Sequence, residues 1–433
     1  MKVALISTYD SGHSPFGLAS PRAWLERDGH QVRCVDLAVE KLREEDVFDA
    51  GLIAFFLPMH TATRLAIPAI HRVKKWNPGA RLACYGLYAP INADLLRSIG
   101  VHSILGGEFE PGLAQLARGG GDAPEISLER LQFIVPDRTG FSQNYARLRR
   151  NGESIPAAYT ETSRGCKHRC RHCPVVPVYN GQFRIVQSEI VLEDIRRQTA
   201  AGARHVTFGD PDFFNGPTHA RKIVEALHAE FPEITYDATI KIEHLLKHRD
   251  LLPVLRETGC LFVTSAVESL DDRVLATLEK NHTRRDFFEA AKLMHEIGLI
   301  LQPTFLAFTP WTTMESYRDL LCSLARLDLV ENVAPVQLAL RLLITASSRL
   351  LELDEIRAAI GPFDPVSLVY PWKHPDPEVD ALCSRVFRAV AQGQKDGRSR
   401  HEIFREVWNI AIAENFDLIP RAAIPYLDEP WYC

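Results

Sequence analysis

Short apolar runs alternate with helical patterns along most of this 433-residue chain, and the alternation limits the folds it can adopt. Before about residue 118 the runs are KVALIST, QVRCVDL, GLIAFFL and ARLACYG, separated by helical stretches such as LASPRAWLERDG. Buried strands joined by crossover helices form a parallel sheet with helices on both faces, and such sheets bind ligands at the carboxyl ends of their strands. The sequence therefore predicts an α/β domain with a doubly wound parallel sheet over residues 1–118.

The alternation resumes after a break. Residues 119–155 begin GGGDAP and contain Pro136 and Gly140, which is typical of a linker between domains. Six further strand candidates follow: AYTETS, HVTFGD, ITYDATI, LFVTSAV, LILQPTFLAF and PVQLALRLL. This arrangement predicts a full or partial (β/α) barrel over residues 156–350. The pattern then turns mostly helical, which predicts a helical C-terminal region over residues 351–433.

The composition of the chain indicates which kinds of partner and which cellular location to expect. The net charge is only -5 and the basic residues are scattered, so nothing indicates a surface for nucleic acid. No apolar run approaches the roughly 18 residues of a membrane span, and the start MKVALISTYDSGHSP is typical of a first buried strand, not of a signal peptide. Nine cysteines, dispersed apart from one cluster, do not resemble a disulfide framework. We therefore expect a cytoplasmic protein without a membrane or nucleic-acid partner.

The one cysteine cluster follows the first predicted barrel strand, in the segment ETSRGCKHRCRHCPVVP. Its spacing, C-x3-C-x2-C, lets Cys166, Cys170 and Cys173 bind three irons of a [4Fe-4S] cluster and leaves the fourth iron without a protein ligand. The alternative is a zinc site in which His168 or His172 completes a Cys3His set.

This loop and the predicted barrel around it resemble the radical S-adenosylmethionine (SAM) superfamily. The resemblance implies that SAM chelates the open iron through its amine and carboxylate. It also implies that an electron from the cluster cleaves SAM to methionine and a 5'-deoxyadenosyl radical, which abstracts hydrogen from a substrate. The form SRGCKHRCRHCP is similar to that of members with a cobalamin-binding-type domain ahead of the barrel.

The same resemblance implies roles for four residues at strand ends and in the loop. FGDPDFF stands where the superfamily has a Gly-Gly-Glu-like turn that holds the SAM amine, so Asp210 is the expected carboxylate there. VTSAVESLDDRVLATLEKNHT is similar to a strand end that faces the ribose, which implies that Glu268 and Ser269 lie there. His172 stands where relatives have an aromatic residue that meets the adenine.

The first domain resembles the cobalamin-binding fold, a flavodoxin-like or Rossmann-like sheet, in SPFGLASPRAWLERDGHQV and ILGGEFEPGLAQL. Cobalamin is therefore a candidate cofactor. His13 is spaced D-x2-H-x3-G and not D-x-H-x-x-G, so we interpret it as a loop residue and not as a cobalt ligand. Tyr85 and Tyr88 replace the Gly-Gly pair that admits the cofactor tail in relatives, and their bulk could fill that groove.

The chain finishes on YLDEPWYC. This segment resembles the start of the Cys-Cys-Ala-Glu-Pro or Cys-selenocysteine-Ala-Glu-Pro tail of one radical SAM family. The resemblance implies that Cys433 is a functional thiol and that a selenocysteine codon read as a stop ended the sequence. The alternative is a docked tail in which Trp431 and Tyr432 pack on the barrel and the cysteine is incidental.

Two classes of function follow from these patterns. In the enzyme class, a radical SAM enzyme acts on a small-molecule substrate with a reductant such as flavodoxin or ferredoxin, and a cobalamin-dependent radical methyltransferase is its alternative form. In the other class, the chain is an iron-sulfur electron carrier or a binding protein. Formation of 5'-deoxyadenosine from SAM would separate the two classes.

Overall fold

The computed structural model describes residues 1–433 except 122, 143, 413–418, 422–423 and 430–433. Two sheets organise the described residues, and both are built mainly from parallel strands. Among these residues, no helix combines the length and the apolar character that crossing a bilayer requires.

The first sheet confirms the predicted doubly wound domain. Its strands run in the order β2-β1-β3-β4-β5-β6 and are all parallel. The strands are β1 Lys2–Ser7, β2 Gln31–Asp36, β3 Leu52–Phe56, β4 Arg81–Tyr85, β5 Ser103–Gly107 and β6 Ile126–Ser127. The helices are α1 Phe16–Arg27, α2 His60–Trp76, α3 Tyr88–Ile91, α4 Ala93–Ser98 and α5 Glu110–Ala117. Helices α1 and α5 pack on one face and α2, α3 and α4 on the other, because the strands are apolar on both sides.

The second sheet is a curled half-barrel in the order β14-β13-β12-β11-β8-β7-β15. Strands β8 and β11 to β14 are parallel, whereas β7 and β15 are antiparallel additions at one edge. The strands are β7 Arg147–Arg150, β8 Glu153–Thr160, β11 His205–Phe208, β12 Thr235–Thr239, β13 Cys260–Glu268, β14 Ile300–Phe305 and β15 Tyr426–Leu427. A separate hairpin pairs β9 Ser163–Gly165 with β10 Phe183–Ile185.

Helices follow the barrel strands and cover the outer face of the sheet. They are α7 Ser188–Ala200, α8 Pro217–Glu230, α9 Ile242–Lys247, α10 Leu252–Glu257, α11 Asp272–Thr277, α12 Arg284–Ile297 and α13 Met314–Arg326. The short helix α6 Val176–Tyr179 instead follows the cysteine loop and contacts β5, β9 and α3. The C-terminal region is helical as predicted, with α14 Asp354–Ala359, α15 Pro377–Lys395 and α16 Arg400–Ala411. The main core lies between these helices and the strands.

The prediction that PVQLALRLL forms a sixth barrel strand is wrong for most of that segment. Residues Pro335–Leu338 form a 3-10 turn, and only Arg341 makes a parallel bridge, to Phe308. The buried side-chain oxygen of Gln337 accepts the backbone N–H of Phe305 at 3.1 Å, so a side chain replaces the ladder hydrogen bond that a sixth strand would supply.

Candidate functional site

The cysteine loop lies at the carboxyl edge of the half-barrel, between β9 and α6. Cys166 and Cys170 are buried, Cys173 is half-buried, and none of the three forms a disulfide. The backbone N–H of Cys173 donates to the carbonyl of Cys170 at 3.2 Å, which closes a tight turn around the last two thiols. Three reduced thiols on one tight loop fit three corners of a [4Fe-4S] cluster.

Contacts from other barrel elements hold the loop in place. Gly165 has φ 75° and an added Cβ would lie 2.3 Å from the ring of Tyr179, so only glycine fits before the first thiol. Asn215 donates to the carbonyl of Gly165 and accepts from the N–H of Lys167, both at 3.2 Å. The N–H of Arg171 donates to the carbonyl of Leu278 at 3.0 Å.

Two buried lysines stand beside the thiols. The Nζ atom of Lys241 lies 4.0 Å from the sulfur of Cys170, and Lys241 follows β12 directly. Lys280 lies beyond α11 and is 3 % exposed; although burial opposes its charge, Glu268 holds the pKa of Lys280 above its ordinary value. Two ammonium groups beside three thiols offset the negative charge that metal-bound thiolates carry.

Glu268, His172 and Lys280 form one buried group at the end of β13. Oε1 of Glu268 lies 3.1 Å from Nε2 of His172 and accepts from Nζ of Lys280 at 3.2 Å. Although burial by itself favours the neutral acid, Lys280 and His172 hold the pKa of Glu268 well below its ordinary value. The structure therefore brings together two of the residues expected to contact SAM and keeps the carboxylate ionised.

Backbone strain aims the Glu268 carboxylate. Its φ is 69°, in the left-handed region, and the pairing of β13 with β14 shifts register between Ala266 and Glu268. A bulge in a strand changes the direction in which a side chain points. A residue with a strained backbone keeps that conformation only where the surrounding structure holds it in place. A cavity of about 320 Å³ borders Glu268 and Ser269, whose hydroxyl accepts the N–H of Asp271 at 3.1 Å.

Asp210 lies at the end of β11 and is 2 % exposed. Its carboxylate accepts from the N–H of Thr162 at 2.9 Å, the hydroxyl of Thr162 at 2.7 Å and the hydroxyl of Ser163 at 2.5 Å. Burial raises the pKa of Asp210 to about 6, against these hydrogen bonds. Asp210 therefore ties β11 to the strand that leads into the cysteine loop.

The two histidines of the zinc alternative point to different partners. His172 faces Glu268, while Nε2 of His168 lies 3.2 Å from Nε2 of His244. His244 in turn places Nδ1 2.6 Å from the carboxylate of Asp212. A thiol of Cys166, a ring nitrogen of His168 and a carboxylate oxygen of Asp212 lie within 4.8 Å of one another.

The groove of the first domain is filled by protein. Tyr85 is fully buried, its ring centroid lies 5.4 Å from Phe56 and 5.0 Å from Phe109, and its hydroxyl donates to the carbonyl of Gly17 at 2.8 Å. Tyr88 is 8 % exposed and packs on the opposite face of the sheet. The residues present therefore do not fit a cobalamin tail inserted between the sheet and helices α1 and α5.

His13 lies in the loop after β1 and is buried. Its Nε2 atom is 2.8 Å from Oε1 of Glu429, and its ring centroid lies 4.8 Å from that of Tyr159 of the half-barrel, with the two rings tilted by 32°. The contact joins the first domain, the barrel and the C-terminal segment. The predicted functional thiol, Cys433, lies outside the described residues, as do Trp431 and Tyr432.

Sequence reasoning gave no role to Lys241, Lys280, Asp212 or His244, although Lys280 begins a Lys-x-x-Thr segment that resembles one in the superfamily. Lys280 stands in the segment LEKNHT, close to Glu268 in sequence, and that proximity to a predicted site residue is the signal that could have found it. Lys241 and Asp212 stand just beyond the ends of β12 and β11, where a parallel barrel collects its functional residues.

Residues 160–318 match the family model of the Radical SAM superfamily. The hopanoid C-3 methylase of Methylococcus capsulatus is 26% identical over 69% of this chain and 61% of that protein. The ribosomal protein uS12 methylthiotransferase RimO of Geobacter sulfurreducens is 26% identical over 47% of this chain and 49% of that protein. This chain thus spans less than two thirds of the length of either relative.

Two solved structures share the fold. The radical SAM methyltransferase TsrM from Kitasatospora setae, solved with tryptophan and a SAM analog, superposes with a TM-score of 0.62 at 16% identity, over 76% of this chain and 71% of that chain. The cobalamin-dependent SAM radical enzyme OxsB, solved with aqua-cobalamin and SAM, gives 0.66 at 12% identity over 94% and 73%. Residues 160–318 therefore form a radical SAM domain, and a domain of this class implies a [4Fe-4S] cluster and SAM as its cofactors.

Proposed function

We propose that the chain binds a [4Fe-4S] cluster through Cys166, Cys170 and Cys173 and cleaves SAM reductively in order to modify a small molecule. The observation that carries the proposal is the convergence of three thiols and two buried lysines at the carboxyl edge of a half-barrel that matches the superfamily. With cluster and SAM bound, the site supplies a 5'-deoxyadenosyl radical that abstracts hydrogen from the substrate. A reductant such as flavodoxin or ferredoxin supplies the electron.

The side chains of this site have separate tasks. Glu268 accepts from the ribose hydroxyls, and Lys280 and His172 keep its carboxylate ionised for that contact. His172 presents a planar ring beside the adenine. Asp210 accepts from the SAM amine while it holds the strand before the loop, and Ser269 lines the ribose side of the cavity. Fixed partners of this kind place the substrate against the reacting carbon, which supplies much of the rate.

Cobalamin-dependent radical methyl transfer is a second candidate. The hopanoid C-3 methylase relative favours methyl transfer. The fold shared with cobalamin-bound OxsB favours the cofactor, as does a cavity of about 850 Å³ at the carboxyl edge of the first sheet, bordered by Tyr9, Arg64 and Tyr145. The filled groove around Tyr85 opposes it. Retention of hydroxocobalamin through gel filtration would support this candidate, and its absence from the protein peak would contradict it.

We also propose that the chain belongs to the radical SAM proteins with a Cys-Cys-Ala-Glu-Pro or Cys-selenocysteine-Ala-Glu-Pro tail. The contact between Glu429 and His13 supports this, because it holds the segment before Cys433 beside Tyr159. The hydroxyl of Tyr159 reaches Gly209, where an added Cβ would lie 2.0 Å from it. A UGA or Cys codon directly after Cys433, followed by codons for Ala, Glu and Pro, is the expected genomic sequence, and a UAA or UAG codon would contradict the proposal.

One experiment separates the enzyme from an electron carrier. Protein reconstituted anaerobically with iron and sulfide is mixed with dithionite and SAM, and the products are measured by chromatography. The enzyme gives 5'-deoxyadenosine and methionine, whereas an electron carrier or a binding protein leaves SAM intact.

A further inference from the structure

Arg164 is a buried cation two residues before the first cluster thiol, and the first domain neutralises it. Its Nη1 and Nη2 atoms donate to the two carboxylate oxygens of Glu110 at 3.0 and 2.7 Å, in a forked pair. Nη1 also donates to Glu108 at 3.3 Å, and Nε donates to Glu161 at 2.7 Å. Glu108 and Glu110 are fully buried, and Arg164 is 7% exposed.

Aromatic rings and further hydrogen bonds complete the surroundings of Arg164. The guanidinium carbon lies 5.4 Å from the ring centre of Phe16, 5.0 Å from that of Phe109 and 4.9 Å from that of Phe133. Ser20 donates to Glu110 at 2.6 Å, and the Tyr179 hydroxyl donates to Glu108 at 3.1 Å. Although burial opposes its charge, the three carboxylates hold the pKa of Arg164 well above its ordinary value. The contacts come from α1, the β5–α5 turn, the 119–155 segment and the barrel.

The position of Arg164 determines the position of the cluster loop. Gly165 is the one residue between Arg164 and Cys166, and it is itself confined by Tyr179 and Asn215. Tyr179, which packs over Gly165, is the same residue that donates to Glu108. A displacement of Arg164 therefore displaces the first thiol, because the single residue between them is conformationally restricted.

We infer that Glu108 and Glu110 are positioning residues for the iron-sulfur cluster, and that they hold Cys166 in its binding geometry through Arg164. The inference rests on the proposed cluster binding. It assigns the GGEFEP segment of the first domain a task in the barrel's chemistry that does not depend on any ligand of the first domain. Forked Arg–carboxylate pairs supply geometric precision as well as energy, which is what a metal-binding loop needs.

A merely structural contact between two domains would stabilise the fold without changing the cluster. The test therefore compares wild type with E110Q, R164K and the double variant E110Q/R164K, and uses E45Q, at an exposed residue of the same domain, as the matched control. Each protein is reconstituted anaerobically, and iron content is measured. The half-life of the cluster absorbance is then followed under excess chelator, and thermal unfolding of the cluster-free protein is recorded separately.

The two single variants should lose the cluster at least about tenfold faster than wild type, because E110Q removes the buried carboxylate charge and R164K removes the forked hydrogen bonds. The double variant should be no faster than the faster single variant, because the two residues act as one unit. E45Q should match wild type. Should E110Q fail to give folded protein, E108Q removes the longer of the two contacts and carries the same expectation with a smaller fold-change.

Half-lives within twofold of wild type in both folded single variants would overturn the inference, as would additive effects in the double variant. Wild-type protein that takes up no iron would contradict the proposed function instead. The two failures are therefore distinguishable in one set of measurements.

Discussion

The two parallel sheets of this protein use their carboxyl edges differently. At the edge of the first sheet, the rings of Phe56, Tyr85 and Phe109 pack on one another, and the acids that follow β5 face Arg164 of the other domain. At the edge of the half-barrel, lysines and acids face the thiols of an open loop. The first edge packs aromatic rings and directs its acids toward Arg164 of the other domain, whereas the second gathers charged side chains around the thiols.

The difference shows that the same βα architecture can serve as a support or as a site. Apolar packing at a strand end stabilises the domain but excludes a ligand, whereas buried charges at a strand end cost stability and persist when they have partners or a function. Lys280 and Glu268 have each other as partners, and Lys241 has Glu243 at 3.6 Å. Variants at the two edges test whether the first sheet acts as a structural support and the half-barrel carries the reactive site.

The largest effect is expected at the thiols. Replacing Cys166, Cys170 and Cys173 together by Ala should abolish both the brown colour of reconstituted protein and SAM cleavage, because no other described cysteine belongs to the loop. Wild type should contain about four irons and four sulfides per chain. Cys322→Ala, at an exposed cysteine on α13, is the matched control and should retain iron. Zinc in place of iron in anaerobic wild-type protein would contradict the assignment.

A tenfold or larger effect is expected at the carboxylates of the barrel edge. Asp210→Ala and Glu268→Ala should weaken SAM binding, because each removes a charge-assisted hydrogen bond worth on the order of 1.5 to 3 kcal/mol. Iron content is measured beside affinity, because Asp210 also ties β11 to the strand before the cysteine loop. Equilibrium binding of SAM to reconstituted protein measures the change. Glu225→Ala, on the exposed face of α8, should leave the affinity unaltered. Unchanged affinity in both site variants would mean that these strands do not face SAM.

Much of this barrel edge was predictable, because its signals are local. The cysteine spacing, the strand ends and Glu268 with His172 can be read from short segments, and the structure brings those two side chains within 3.1 Å. Lys241 and Asp212 were not predictable from such segments, since their role depends on which strand ends meet in space. Arg164 was visible in the loop, but its partners Glu108 and Glu110 lie more than fifty residues away.

The same distinction between local signals and tertiary contacts explains which parts of the fold were predictable. Strands β1 to β4 of the first sheet and the first five of the barrel follow from apolar periodicity, which is a property of each segment, whereas β5 and β6 were not predicted. The sixth strand failed because Gln337 satisfies the Phe305 N–H with its side chain, a tertiary contact that no periodicity records. Strand β15 is only two residues long and pairs with a strand nearly 280 residues earlier in the chain, so no local pattern indicates it.

A smaller effect is expected in the first domain when its groove is opened. The Tyr85→Gly variant should retain more hydroxocobalamin through gel filtration than wild type, because it removes the ring that packs on Phe56 and Phe109 in the groove. Emptying a core aromatic site costs about 3–5 kcal/mol, so circular dichroism must first show that the variant is folded. Tight retention by wild type would show that the packed rings do not exclude the cofactor.

The smallest effect concerns a single hydrogen bond at the same edge. Tyr85→Phe keeps the ring packed but removes the bond to the carbonyl of Gly17, so the free energy of unfolding should fall by about 1 kcal/mol. Chemical denaturation of the cluster-free protein measures this, and SAM cleavage by the reconstituted variant should equal that of wild type. A loss of SAM cleavage with no loss of stability would place the chemistry at the first sheet and reverse the comparison.

The central claim is that the charged edge of the half-barrel cleaves SAM. Its most direct test is the yield of 5'-deoxyadenosine from anaerobically reconstituted wild-type protein with dithionite and SAM, measured against the variant without its three loop cysteines. The wild type should produce 5'-deoxyadenosine and methionine, and the variant should produce neither. Intact SAM in the presence of a fully loaded, reduced cluster, or equal yields from both proteins, would contradict it.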